Sequence, residues 1–195
     1  MPNQPLILAS SSPRRLQLLQ TLRIPFEVHM PNIDETMFPN ERADDMVLRL
    51  AKLKASVISA QFPGRWILSS DTTVAIDGHK LGKPKNEQDA YDMLKRLQNR
   101  VHQVCTGLCL QKDDNIHALV ETSNVFFRPM TDKQIHWYIK TGEPMDKAGA
   151  YAIQGTGGLF IEHFEGSYTN IMGLPIERMI ELFQQLDLLN NWLNL

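Results

Sequence analysis

Apolar runs of strand length alternate with amphipathic stretches of helix length along the whole chain, and this alternation points to an α/β fold. Leu6 to Ala9 reads as a first strand. Ser12 then suits an N-cap, with Pro13 at the first helical position and Leu16, Leu18, Leu19 and Leu22 as the apolar stripe of a helix ending near Pro25. Residues 26–30 suit a short strand and 43–60 a longer helix. Residues 66–76 form the next strand, and Asp77-Gly78 is a hairpin signal, although residues 80–84 interrupt the return strand. A helix after Asn86 carries Ala90, Met93, Leu94 and Leu97 inward, and 101–111 and 117–128 read as antiparallel strands joined across Asp113-Asp114-Asn115. Thr131 with Gln134 makes a capping box for a helix with Ile135, Trp137, Tyr138 and Ile139. The stretch MDKAGAYAIQGTGGLF is too rich in glycine for an ordinary helix, and Pro175 opens the last helix with Ile176, Met179, Ile180 and Phe183.

No repeat or Gly/Ser linker divides the 195 residues, which can bury a core as one large domain or two closely joined lobes. Lys and Arg number 20 against 22 Asp and Glu, a formal charge of -2, so the molecule as a whole is not built to attract nucleic acid. Any anion site must come from local clustering. No apolar run is long enough to cross a bilayer, and the start MPNQPLILASSS lacks the basic-then-apolar layout of a secretory signal, so the expectation is a soluble, cytoplasmic protein with no membrane partner. Cys105 and Cys109, four apart in an expected strand, are too far apart for a disulfide and read as core thiols.

Arg14 and Arg15 put two positive charges in the first turn of a helix whose free N–H groups already make the field positive. A strand running through small hydroxyl residues into such a helix start binds phosphate readily, and guanidinium forks match phosphate oxygens. The alternative is that both side chains reach into water or pair with surface carboxylates. Lys54 shares a helical stripe with Val47, Ala51 and Ile58, so it faces the body of the protein or snorkels along the stripe's edge. Asp71 is a single carboxylate in the strand WILSSDTTVAI, where burial of its charge demands a cation or donor partner. It can take a proton from water or hold a metal, or it can be a structural aspartate bonded by Ser69, Ser70, Thr72 or Thr73. Glu35 lies in a loop beside Asp34, where hard oxygen ligands could reach Mg2+, and Lys83 in LGKPK can return toward Asp71 beyond the hairpin. The six histidines show no ligand spacing, the glycines of a Walker or dinucleotide loop are missing, and no G-x-S-x-G elbow occurs.

Taken together, LILASSSPRR, LRLAKLKA, SSDTTV followed by LGKPK, MDKAGAYAIQG and MGLP resemble the Maf family of nucleoside triphosphate pyrophosphatases over almost the whole chain. The resemblance implies a single domain over 1–195 with two lobes, an elongated, twisted mixed sheet flanked by helices like that of the inosine triphosphate pyrophosphatases, and a nucleotide cleft between the lobes. It also implies a homodimer, a divalent metal cation (Mg2+ or Mn2+) and cleavage of a nucleoside triphosphate to the monophosphate plus pyrophosphate. Carried onto this chain, it makes Asp71 the acid that accepts the water proton, puts Ser10, Arg14, Arg15, Lys54 and Lys83 at phosphate-binding positions, and matches Glu35, with Asp71, to the metal. The family's dTTP- and UTP-preferring subgroup is similar to this chain at Arg14, Thr72 and Gln154, which the resemblance makes the base-selecting residues. Ser69-Ser70 stand where the family usually has Gly-Ala, and extra hydroxyls beside Asp71 could tune its basicity.

The expected chemistry is attack of an activated water on the α-phosphorus, with cations neutralising charge on the departing pyrophosphate. Gln154 has the donor and acceptor to meet the O4 and N3–H edge shared by thymine and uracil. Two other readings accompany this one at the level of sequence: a nucleotide-binding regulator of cell division with little hydrolysis, and a pyrophosphatase for a modified purine triphosphate. Leu188, Leu189, Trp192 and Leu193 could add apolar area to a dimer contact, or pack the terminal helix on its own core.

Overall fold

The computed structural model describes residues 4–193, with side chains through residue 190. The elements follow the expected alternation: β1 (Leu6–Ala9), α1 (Pro13–Thr21), β2 (Phe26–His29), α2 (Ala43–Ser59), β3 (Ile67–Ile76), β4 (His79–Leu81), α3 (Glu87–Leu97), β5 (Val101–Lys112), β6 (Asn115–Phe127), α4 (Asp132–Lys140), β7 (Ile161–Glu165), α5 (Tyr168–Met172), α6 (Ile176–Gln185) and α7 (Leu188–Leu193). Between α4 and β7 the glycine-dense stretch makes three short 3-10 turns, Glu143–Asp146, Ala148–Ala150 and Thr156–Phe160.

The strands form one mixed sheet in the order β2-β1-β3-β5-β6-β7, with β4 also paired to β3. β1 runs parallel to β2 and β3, and the remaining ladders are antiparallel. β5 pairs with β3 continuously from Ile67 to Ala75 along one edge of that strand. On the other edge β1 covers only Ile67 to Ser69 and β4 only Val74 to Ile76. Ser70, Asp71, Thr72 and Thr73 therefore have no strand partner on that edge. A sheet with a break in the middle of one ladder leaves a slot, and its floor is the stretch that carries Asp71.

Two buried apolar clusters form on either side of this break. One gathers Leu6, Leu8, Leu18, Leu19, Met179 and Phe183 around β1, α1 and α6. The other gathers Leu81, Ala90, Leu94, Leu97, Ile135 and Tyr138 around β4, α3 and α4. Helix α2 lies against the sheet with Ala51, Ala55 and Ile58 on Ile7, Ile67 and Cys109, while Met46, Val47 and Leu50 meet Cys105. Both cysteines are free and buried, in agreement with the sequence. No described helix is long and apolar enough to cross a membrane.

Gly107 sets how closely α2 approaches. It pairs with Asp71, and a Cβ there would lie 2.2 Å from the Val47 carbonyl oxygen and 2.8 Å from the Leu48 nitrogen, both helix backbone atoms that cannot step aside separately. Gly107→Ala is expected to push α2 off the sheet and lower stability by about 1–3 kcal/mol, the usual range for overpacking a core. Chemical denaturation checks this; an unchanged midpoint would contradict the close approach.

Several local expectations need correction. Trp137 is 51% exposed, because Ile135, Tyr138 and Ile139 define the inward face of α4 and residue 137 lies off it. The β5–β6 connection is shorter than expected, since Asn115 already pairs with Lys112 and Asp113 adopts positive φ. The last helix is two helices, broken near Asp187, where φ is 53°. Leu188 is buried in the α1/α6 cluster, with Leu189 packed against it, so these two side chains serve this chain's own core. The readings that involve residues 1–3 and the side chains of Trp192 and Leu193 lie outside the described residues.

Candidate active site

A cleft of about 370 Å3 opens over the unpaired edge of β3. Ser11, Ser12, Pro13 and Arg14 at the start of α1 line one side, and Gly82 and Lys83 after β4 line the other. Lys54 of α2 reaches in over Asp71 and Thr73, and Gln154 and Gly173 close the cleft from the C-terminal half. Of the residues singled out by sequence, Arg14, Arg15, Glu35, Lys54, Asp71, Thr72, Lys83 and Gln154 all line this one cleft. They come from six stretches of chain between residues 14 and 154.

The most closely built part is a cluster around Lys54. Its ammonium donates to Asp71 Oδ1 at 2.6 Å and lies 2.8 Å from Glu35 Oε1, with the Lys54 and Asp71 side chains nearly buried and Glu35 more open. Partial burial pushes the Glu35 carboxyl up, but the Lys54 hydrogen bond and the fields of Lys54, Lys83 and Arg15 outweigh it and leave the group below its ordinary value. The hydroxyls suspected of bonding Asp71 point elsewhere. Ser69 Oγ donates to the Ala51 carbonyl at 2.6 Å and Ser70 Oγ to the Gly173 carbonyl at 2.9 Å, so they fasten α2 and the segment after α5 to the strand. They do not tune Asp71 through a direct bond, and Asp71 Oδ2 has no partner among the described residues.

The two arginines divide their roles. Arg15 donates from Nε to the Gly173 carbonyl at 2.8 Å and from Nη2 to Thr72 Oγ1 at 3.0 Å, and Thr72 Oγ1 also meets Thr106 Oγ1 at 3.0 Å. Burial lowers the pKa of Arg15; Asp71 opposes that shift, Arg14 adds to it, and Glu35 opposes it. Arg14 has no hydrogen-bonded partner among the described residues; burial lowers its pKa, and the Asp146 field opposes this. Ser12 holds the N-cap position but makes no side-chain cap, and no acid lies in the first turn of α1. The start of α1 thus combines uncapped amides with a free guanidinium, the charge pattern that an oxyanion relieves. Ser10 does not line the cleft: it is buried, and its Oγ accepts the Ser12 N–H at 3.1 Å, shaping the turn into α1. Ser11 and Ser12 line the cleft in its place, one and two residues further on.

Glu35 and Asp71 both reach the same nitrogen, so two hard oxygen donors stand side by side at the cleft. No set of three or more His, Cys, Asp or Glu side chains suited to a metal occurs among the described residues. Asp34 turns to the amide and hydroxyl of Thr36 at 2.9 and 2.5 Å. A small hard cation takes one or two carboxylates and fills its remaining positions with water and substrate phosphates, so the donor pair fits such an ion.

Comparison with known proteins agrees with this architecture. Residues 5–186 match the family described as Maf-like protein. The chain is 46% identical over 182 residues to the dTTP/UTP pyrophosphatase of Symbiobacterium thermophilum, covering 93% of this chain and 94% of that one. It is 45% identical over 186 residues to the dTTP/UTP pyrophosphatase of Pasteurella multocida, covering 91% and 93%. The solved structure of the Staphylococcus aureus Ham1 protein superposes with a TM-score of 0.56 at 12% identity, over 93% of this chain and 99% of that one, a likeness of fold alone. With the family match spanning nearly its full length and relatives this similar, the chain belongs to the Maf-like protein family.

Proposed function

We propose that this chain is a cytoplasmic nucleoside triphosphate pyrophosphatase that converts dTTP and UTP to the monophosphate and pyrophosphate. The observation that carries the reading is Asp71 on the unpaired stretch of β3, facing a cleft lined by Arg14, Arg15, Lys54 and Lys83. The names of the similar proteins support the reaction and the pyrimidine preference. Free buried thiols at Cys105 and Cys109 fit a reducing compartment.

The chemistry follows from the parts. Arg14 at the start of α1 and Lys83 beyond β4 approach from opposite sides and have no protein partner by hydrogen bond among the described residues, so they meet the phosphate chain. Lys54 occupies Asp71 Oδ1, which fixes the carboxylate and leaves Oδ2 to take the proton of a water directed at the α-phosphorus. Charge that grows on the departing pyrophosphate is neutralised by cations already in place. Glu35 and Asp71 would hold a divalent cation such as Mg2+ or Mn2+, which supplies further charge neutralisation when bound. Base choice falls to Gln154, which lines the same cleft and whose exposed side chain offers an amide donor and acceptor.

A panel of nucleoside triphosphates, followed by pyrophosphate release, tests the proposal. UTP and dTTP are expected to turn over fastest, with CTP slower by about tenfold or more because its reversed edge leaves the Gln154 amide badly paired. Faster turnover of a modified purine triphosphate would overturn the substrate assignment, and tight binding of UTP with no product would make the chain a nucleotide sensor.

A further inference from the structure

Gln154 stands at the crest of a loop whose backbone is fastened on both sides by residues that do not touch the cleft. Tyr138, fully buried in α4, accepts the Ala152 N–H on its hydroxyl oxygen at 3.2 Å and donates its proton to Glu143 Oε1 at 2.7 Å. The same carboxylate accepts the Thr156 N–H at 2.9 Å and the Gly157 N–H at 2.9 Å. The chain is thus tied two residues before Gln154 and again two and three residues after it. Packing leaves no slack in the tether. A Cβ on Gly155 would lie 2.2 Å from Glu143 Oε2, and one on Gly157 would lie 2.4 Å from the Tyr138 hydroxyl oxygen.

The electrostatics fit a permanent clamp. Partial burial pushes the Glu143 carboxyl up, but bonds from Tyr138, Gly157 and Thr156 together with the field of Lys147 outweigh it and hold the group below its ordinary value. An ionised carboxylate on the leading amides of a helical turn is a favourable pairing. At the crest, the Gln154 side chain is exposed and bonds nothing among the described residues. Its backbone is held while its side chain reaches into the cleft, and a fixed frame reduces the ordering cost of binding.

We propose that Tyr138 and Glu143 are positioning residues for base selection, holding the 152–157 loop so that Gln154 is presented to the pyrimidine edge from one fixed backbone position. The inference rests on the reading of Gln154 given above. Neither residue lines the cleft, so their effect reaches the base only through the loop.

Steady-state kinetics of the parent protein, Tyr138→Phe and Glu143→Gln with UTP and CTP tests it. The parent is measured first; equal use of UTP and CTP would remove the base reading itself. Given a selective parent, both variants are expected to raise the KM for UTP by about five- to tenfold, keep kcat within about twofold, and lower the UTP-to-CTP ratio of kcat/KM by about tenfold. General loosening of the fold would lower activity on both nucleotides together and leave that ratio unchanged. Tyr138→Phe, which keeps the ring in its core site, carries the test if Glu143→Gln does not fold. Amide exchange at Ala152, Thr156 and Gly157 confirms that the tether is released. Parental selectivity and KM in a variant with a released tether would overturn the proposal.

Discussion

Pyrophosphate release from UTP falls by about a hundredfold or more in Asp71→Asn, while the protein stays folded. The size follows from the role: a positioned base contributes on the order of 10²–10⁴ to rate, and an amide cannot take the water proton. The persistence of the fold follows from geometry. Removing the Asp71 charge leaves the Lys54 ammonium beside Glu35 at 2.8 Å, so the nearly buried cation keeps an anionic partner. Asparagine also preserves shape and one acceptor oxygen for Lys54. Turnover near the parental rate in a folded Asp71→Asn protein would remove Asp71 from the reaction.

The reverse substitution has the larger structural effect. Lys54→Met removes the one cation among the described residues in hydrogen-bond contact with Asp71, leaving a carboxylate whose side chain is 10% exposed without a paired charge. Breaking a buried pair from one side costs about 3 kcal/mol or more. In a chain of this size that corresponds to about 6–12 °C in melting temperature. The cleft, which Lys54 lines, also loses one of its cations, so UTP is expected to bind more weakly. The double variant Lys54→Met/Asp71→Asn is expected to regain most of the stability and none of the activity. Thermal unfolding of the two variants beside the parent checks this, and a single variant as stable as the double would show that the pair is solvated and energetically idle.

How much of this was legible in the sequence depended on how local the signal was. Ser12-Pro13 before the leucine stripe, Asp77-Gly78 between strands and Thr131 with Gln134 are written within a few residues, and each element begins where those residues put it. Lys54 could be placed facing inward because helical periodicity is a local rule, and the structure finds it buried. What stayed hidden depends on register between distant segments. Whether Ser69 and Ser70 bond Asp71 or other partners is decided by where α2 and Gly173 fall against β3. Arg14 and Arg15 are adjacent in sequence, yet only Arg15 finds Gly173 and Thr72, residues from the far half of the chain and the middle strand. Gly107 looked like any glycine in a strand until α2 was seen to cross it, and Glu143 gave no sign of its hold on the Gln154 loop. The break in β3's pairing has no residue signature at all, since it arises from the short reach of β1 at one end and of β4 at the other.

In the proposed mechanism the break in the sheet directs water, activated at Asp71, to the α-phosphorus of a nucleoside triphosphate. Hydrolysis of UTP in oxygen-18 water, with both products analysed by mass, tests this most directly. Label in the uridine monophosphate and none in the pyrophosphate is the predicted result; label in the pyrophosphate would place the attack on the β-phosphorus and contradict the assigned chemistry.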